Sequence, residues 1–158
     1  MTLEYVAGFV DGEGCIGFTR TGGKRRYVPR ISITNTNLEI LYNLQSQFGG
    51  CISRLSHRKI NWKQGYHLTL TSRQAITFIT RIEPFLQLKR EQAQLILLWD
   101  LLRPGKGHQW PQEDLEIIAS LVANMRCLNL KGHRVLGATE GETPSETGEK
   151  EISHVGPD

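Results

Sequence analysis

A chain of 158 residues, 39% hydrophobic and 8% aromatic, can bury a real core as one domain, which excludes a fibrous or wholly disordered protein. Its longest aliphatic-rich run, Leu95 to Trp99, is far too short to cross a bilayer, and no charged stretch followed by a long apolar run opens the sequence. The expectation is an intracellular protein with no membrane partner. Cys15, Cys51 and Cys127 are scattered and contain no CxxC pair, and the five histidines lack ligand spacing, so neither a disulfide framework nor a zinc site is expected.

The formal net charge of +3 hides an uneven distribution. Residues 138–158 hold six acids against Lys150, a local charge of −5 that leaves +8 on residues 1–137. From Arg20 to Arg73 there are ten cations and one acid, Glu39. Such a run creates a field that attracts polyanions.

In chain order, Thr2 to Asp11 reads as a short helix capped by Thr2, with Glu4 in the first turn where the helix dipole favours an anion. Gly12 and Gly14 stop it. Cys15–Thr21 and Tyr27–Thr34 are β-rich runs joined by a glycine-containing turn, a hairpin signal. Asn35, Thr36 and Asn37 offer caps for a helix reaching Phe48, which Gly49 and Gly50 end. Cys51–Ser56 and Gly65–Thr71 form a second strand pair across a basic loop. Ile76, Phe78, Ile79 and Ile82 share one face of a helix that Pro84 breaks. Lys89–Leu102 and Gln112–Arg126 are further helices, and the acidic, Gly-, Ser- and Thr-rich tail after Gly137 has a disordered composition.

The order αββαββα, repeating an αββ unit, implies an α+β fold: a four-stranded antiparallel sheet with helices on one face. The other face must be solvated or bound. In the second strand Tyr27, Pro29, Ile31 and Ile33 alternate with Arg26, Val28, Arg30 and Ser32; in the fourth, Tyr66, Leu68 and Leu70 alternate with His67, Thr69 and Thr71. One set is core. The other carries residue types suited to phosphates and base edges, with almost no carboxylates. Arg20, Arg54 and Ser56 fall on the core-facing set, which requires a register slip or edge strands.

Gly12 to Gly17 matches GxGxxG, but a dinucleotide site needs a strand before that motif and a helix after it, the reverse of the order here. As a helix end the segment makes better sense. Gly8 and Gly12, four apart with Ala7 beside them, allow two helix backbones to approach closely. Glu13 follows between two glycines, and two such helices side by side would bring two Glu13 carboxylates together. Like charges so close need divalent cations between them, or a proton.

Val6 to Gly14 resembles the LAGLIDADG motif, with Gly8, Asp11 and Gly14 at the motif's places and Glu13 at its final acid. Pro84 to Ala93 resembles the segment in which that family carries an active-site lysine, here Lys89, and Leu128 to Gly132 is also similar. The resemblance spans roughly Leu3 to Arg134. It implies the family's αββαββα fold with a saddle-like sheet, in a domain over residues 1–137 followed by the tail 138–158. It also implies a sequence-specific DNA endonuclease that hydrolyses phosphodiesters across the minor groove of a long pseudo-palindromic site and leaves short 3′ overhangs. Only one copy of the motif is present, so the resemblance implies a homodimer joined through Val6, Ala7, Gly8, Phe9 and Asp11.

Glu13 and the Gly12 carbonyl would ligate Mg²⁺, with Mn²⁺ able to substitute and no small-molecule cofactor. Asp11 is expected to bond local backbone near the helix end. Lys89 would offset charge at the scissile phosphate, and Asn35 would position water; Glu39 departs from a basic residue found in a relative. Arg26, Arg30, Ser32, His67 and Thr69 are the sheet-face DNA contacts. Lys24, Arg25, Arg58, Lys59 and Lys63, in loops, together with Lys131, His133 and Arg134, are phosphate contacts. An organelle, or bacterial or archaeal cytoplasm, is the implied compartment. The alternative on the same fold is a catalytically silent relative, an RNA maturase or a DNA-binding regulator. A generic α+β interaction module would leave the basic sheet face and the glycine-spaced helix without a purpose.

Overall fold

The structure, a computed structural model, describes residues 1–21, 26–56, 63–104 and 111–130. Its elements follow the order α1 (Leu3–Glu13), β1 (Gly14–Thr21), β2 (Arg26–Asn35), α2 (Leu38–Phe48), β3 (Cys51–Arg54), β4 (Tyr66–Thr71), α3 (Ser72–Ile82), a 3₁₀ turn (Glu83–Phe85), α4 (Arg90–Leu102) and α5 (Gln112–Leu130). Local signals place most boundaries. Thr2 caps α1 by accepting from the Tyr5 N–H at 3.3 Å. The Asn37 side chain accepts from the N–H groups of Glu39 (3.0 Å) and Ile40 (3.4 Å), a cap typically worth ~1 kcal/mol. Gly49 and Gly50 follow α2 with φ of +79° and +99°, where side-chained residues are strained. Gly50 has a second reason to be glycine, since a Cβ there would lie 2.8 Å from the Thr69 carbonyl oxygen.

The sheet order is β1-β2-β4-β3 and every pairing is antiparallel. Each αββ unit contributes its second strand to the centre and its first to an edge. In the central pairing Ile31 faces Leu70 and Ile33 faces Leu68. With Ile16 these four have no exposure, and they pack against Val6, Ala7 and Val10 of α1 and Ala75, Phe78, Ile79 and Ile82 of α3. The expected alternation therefore holds. Arg30, Ser32, His67 and Thr69 lie on the opposite face, with Arg30 exposed and the others half-buried.

Edge position, rather than a slipped register, accounts for the two arginines on the core side. Arg20, near the end of β1, lies over the ring of its cross-strand partner Tyr27 and donates to its hydroxyl, while Arg54 on β3 donates to Gln64. Aromatic contacts tie the outer layer down: Phe18 meets Trp99 of α4, and Phe48 of α2 packs edge-on against Phe78 of α3, with ring centroids 4.7 Å apart. Pro84 breaks α3 by tightening its end into the 3₁₀ turn. α5 runs four residues beyond the expected Arg126, to Leu130. Asn129 in that added turn donates to the Ile16 carbonyl at 3.1 Å, so α5 lies along the free edge of β1.

Candidate active site and nucleic-acid interface

The last turn of α1 is joined to the segment entering α4 by one buried carboxylate. Asp11 is 8% exposed, and it is the buried charged side chain among the described residues. One carboxylate oxygen accepts from the Gln87 N–H at 2.7 Å and the other from the Lys89 N–H at 2.9 Å. The Lys89 ammonium returns to donate to the Asp11 carbonyl. Asp11 was expected to bond local backbone; its partners instead lie 76 and 78 residues away, because α3 and the 3₁₀ turn bring that segment beside the end of α1.

Glu13 is the last residue of α1, rather than the first beyond it, and its side chain is exposed. A helix leaves its final carbonyls without intrahelical donors, and its C-terminal end carries partial negative charge. Here the Gly14 N–H takes the Val10 carbonyl and Lys89 takes that of Asp11. The Gly12 carbonyl has no donor four residues on inside the helix. An exposed carboxylate and an adjoining peptide oxygen at a dipole's negative end are hard oxygen donors, the chemistry that suits Mg²⁺. They complete no coordination sphere alone, and no group of three His, Cys, Asp or Glu that could hold a metal occurs among the described residues. Gly14 is required by close approach: a Cβ there would lie 2.7 Å from the Val10 carbonyl oxygen. Gly8 and Gly12 differ, for a Cβ at either would meet nothing within 4 Å.

Across the sheet's polar face, Arg30 pairs with Gly17 and Thr71 in register, and Thr34 with His67. The His67 ring bridges Arg30, 3.3 Å from Nε2, and Thr34, 2.9 Å from Nδ1. A guanidinium can only donate, so Nε2 accepts and Nδ1–H donates to the Thr34 hydroxyl. Burial, and then the Arg30 charge, push the His67 pKa below its usual value. The imidazole is therefore neutral at neutral pH and orients Arg30 without competing with it as a cation.

A sequence profile of the family described as LAGLIDADG endonuclease matches residues 6–92, more than half of the chain and all of this site. The chain belongs to the LAGLIDADG endonuclease family. No curated protein matched by sequence. Among solved structures, the homing endonuclease I-CvuI in complex with the I-CreI target superposes with a TM-score of 0.64 at 21% identity, covering 90% of this chain and 85% of that one. The archaeal intron-encoded homing endonuclease I-Vdi141I, complexed with DNA, gives 0.63 at 21% identity, over 85% and 88% of the two chains. The meganuclease I-SmaMI bound to uncleaveable DNA gives 0.61 at 20% identity; 78% of this chain covers only 44% of it. At these identities the likeness is one of fold: a four-stranded antiparallel sheet with helices packed against it.

Within the LAGLIDADG frame the structure brings Glu13, Gly12 and Lys89 to one end of α1, with Asn35 at the end of β2. The Asn35 side-chain oxygen accepts from the Asn37 N–H at 2.8 Å, which commits that atom to the strand-to-helix turn. Val6, Ala7 and Asp11, expected at a partner interface, are turned into the chain's own core. A helix with one buried face cannot offer those positions to a second chain. Gly8 is exposed and Phe9 half-buried, and Tyr5, stacked on Phe9, is 53% exposed. Lys63 is exposed. Lys24, Arg25, Arg58, Lys59, Lys131, His133, Arg134, the Arg26 side chain and the tail lie outside the described residues.

Two groups escaped the sequence reading. The Thr34–His67–Arg30 chain needed the β2–β4 register, which no local signal supplies. Arg126 comes to the sheet edge only because α5 packs there.

Replacing Asp11 with Asn turns an amide N–H₂ toward a backbone N–H that now meets a carboxylate oxygen. Urea unfolding should show a loss of about 1–3 kcal/mol, with nuclease activity falling alongside; an unchanged midpoint would show that the clamp is not needed.

His67 should titrate below 6.5 when followed by NMR, and Arg30→Ala should raise its midpoint. The folded state binds its proton less readily than the unfolded chain, so its contribution to stability is complete above about 6.5 and is lost as pH falls through the folded midpoint. A midpoint at or above 6.5 contradicts the bridged arrangement.

Proposed function

We propose that this protein is a homing endonuclease that acts as a homodimer on a long, roughly palindromic double-stranded DNA site. It would hydrolyse one phosphodiester per strand across the minor groove, with short 3′ overhangs as product. The observation that carries this reading is the junction at the end of α1, where Asp11 binds Lys89 through backbone and side-chain bonds two residues before the exposed Glu13. The I-CvuI complex with uncleaved DNA in the presence of Mg, and the I-Vdi141I complex with DNA, support it by likeness.

In this reading residues 1–137 form the endonuclease domain, and residues 138–158 a tail dispensable for folding. The compartment would be an organelle or a bacterial or archaeal cytoplasm; among the described residues no helix is long and apolar enough to cross a membrane. Glu13 and the Gly12 carbonyl would hold Mg²⁺, or Mn²⁺ in its place. The bound cation would supply Lewis-acid activation of the phosphodiester and of water. Lys89 lowers the cost of negative charge building on the scissile phosphate. Asn35 orients water through its amide nitrogen, its oxygen being engaged. Arg30, Ser32, His67 and Thr69 read base edges from the sheet face, together with Arg26, while Lys24, Arg25, Arg58, Lys59, Lys63, Lys131 and Arg134 contact phosphates.

The dimer would form on the open face of α1. Gly8 and Gly12 make no steric demand in the chain's own fold, yet each costs helix stability of about 0.5–1 kcal/mol relative to alanine. Close approach of a second α1 would give both glycines a purpose and set the two Glu13 side chains on either side of the minor groove.

Glu13→Gln should lower the Mg²⁺-dependent cleavage rate by roughly 10²–10³-fold or more while duplex affinity stays near wild type, because affinity comes from the sheet and loops. Gel-based cleavage and binding on intron-insertion-site DNA separate the two. A wild-type protein that binds this DNA but never cuts it would instead support the silent-relative reading.

Gly8→Leu should leave the melt of the isolated chain close to wild type, since the position is open, but should sediment as a monomer and lose double-strand cleavage. A wild-type monomer that still cuts both strands at low concentration would overturn the dimer.

A further inference from the structure

Between the C-terminal half of α5 and the β1–β2 hairpin lies an open groove of about 300 Å³. Arg30 and Ser32 line it from the polar sheet face, Tyr27 from the hairpin's outer end, and Arg126 from α5. No carboxylate lines it, and the ion pairs among the described residues, Arg90–Glu83 and Arg103–Asp100, are elsewhere. Arg20 adds a third guanidinium, donating from Nε and a terminal nitrogen to the Tyr27 hydroxyl at 3.1 and 2.9 Å. That hydroxyl's pKa is pulled below the ordinary tyrosine range, first by the Arg20 hydrogen bond, with the charge and hydrogen bonding of Arg126 also contributing. Arg30 and Arg126 thus line one groove without a carboxylate, and Arg20 is held at its Tyr27 end.

The cluster is held by the fold. Asn129 donates to the Ile16 carbonyl at 3.1 Å and fixes α5 against β1, which sets the separation of Arg126 from Arg30. Gly17 lines the groove, and a Cβ there would make only an ordinary contact with the Asn129 amide, at 3.8 Å. Guanidinium groups presented together without a carboxylate repel one another, and an anion with several acceptor oxygens relieves that repulsion by bidentate bonding. The groove is continuous with the sheet face through Arg30 and Ser32, and its floor begins at Cys15, two residues after Glu13. A nucleic-acid strand lying on that face would carry its backbone across the β1 edge.

We propose that this groove seats a backbone phosphate of bound DNA, with Arg126 as its outer clamp, so that the DNA footprint continues from the sheet onto α5. This rests on the endonuclease reading. Because α5 lies outside the sheet edge, Arg126 touches phosphate and carries no base information.

The test is equilibrium binding of the full chain to a duplex of arbitrary sequence across a salt series. Arg126→Ala should flatten the slope of log K against log salt by about one unit per protomer bound, and equally on every sequence. Arg126→Lys should restore most of it. Arg103→Ala, which removes a cation paired with Asp100 on α4, should leave the slope unchanged. An unchanged slope in Arg126→Ala, with wild type binding normally, overturns the phosphate seat and leaves the endonuclease reading intact. A wild type that binds no duplex overturns both. Inorganic phosphate provides the remaining arm. If it raises the melting temperature of wild type but not of Arg126→Ala while the duplex slope is unchanged, the groove belongs to a small free anion and the DNA assignment falls.

Discussion

Everything at the candidate catalytic end hangs on one buried carboxylate. Asp11 offers both oxygens to backbone N–H groups of the segment that enters α4, and the chain reverses there so that the Lys89 ammonium reaches the Asp11 carbonyl. A carboxylate removed from water is expensive unless its lone pairs are satisfied, and charge-assisted bonds to backbone supply that compensation. The result is a rigid joint between α1 and a segment nearly eighty residues later. Glu13, two residues beyond Asp11, and Lys89 inherit their relative placement from it.

The sheet supplies the second constraint. Placing β2 and β4 in the centre buries Ile31, Ile33, Leu68 and Leu70 beneath α1 and α3, and pleating then forces Arg30, Ser32, His67 and Thr69 onto the other side. The polar face needs no separate device; it follows from satisfying the core in an antiparallel sheet with helices on one side. Its cations remain unpaired with acids because the sequence from Arg20 to Arg73 holds Glu39 alone, and Glu39 sits in the first turn of α2 where the dipole favours it. Of the sixteen acids, six lie beyond residue 137 and only Glu39 falls between Arg20 and Arg73, so charge is separated along the chain as well as across the sheet.

α1 serves two masters. One face, through Val6, Ala7 and Val10, belongs to the core; the other, through Gly8 and Gly12, is open. Gly8 and Gly12 are not required by any close approach within the chain, whereas the neighbouring glycine at position 14 is, because its backbone passes against Val10. Of three glycines within seven residues, only the last is demanded by the packing of its own chain.

Read from the residues alone, the sequence determined the order of elements, the cap Thr2, a cap within Asn35 to Asn37, the end of α2 at its paired glycines and the two-sided character of β2 and β4. These depend on local hydrogen bonding and on side-chain periodicity, both of which a linear sequence displays. Its resemblance to the LAGLIDADG family pointed to Glu13, through the motif, and to Lys89, through the segment Pro84 to Ala93. Tertiary structure decided the rest. The dimer-facing set lost Val6, Ala7 and Asp11 because the side of α1 that is buried depends on where α3 packs. Asp11 found partners 76 and 78 residues away, a distance at which no spacing rule operates. Arg20 and Arg54 became intelligible only when β1 and β3 proved to be edges, since strand order is set by which faces must be covered and not by the strands themselves. Arg126 reached the sheet because α5 buries Ile118, Leu121, Val122 and Met125 in the core and bonds β1 through Asn129. Local chemistry is legible residue by residue, whereas long-range pairing depends on how separate elements share one core.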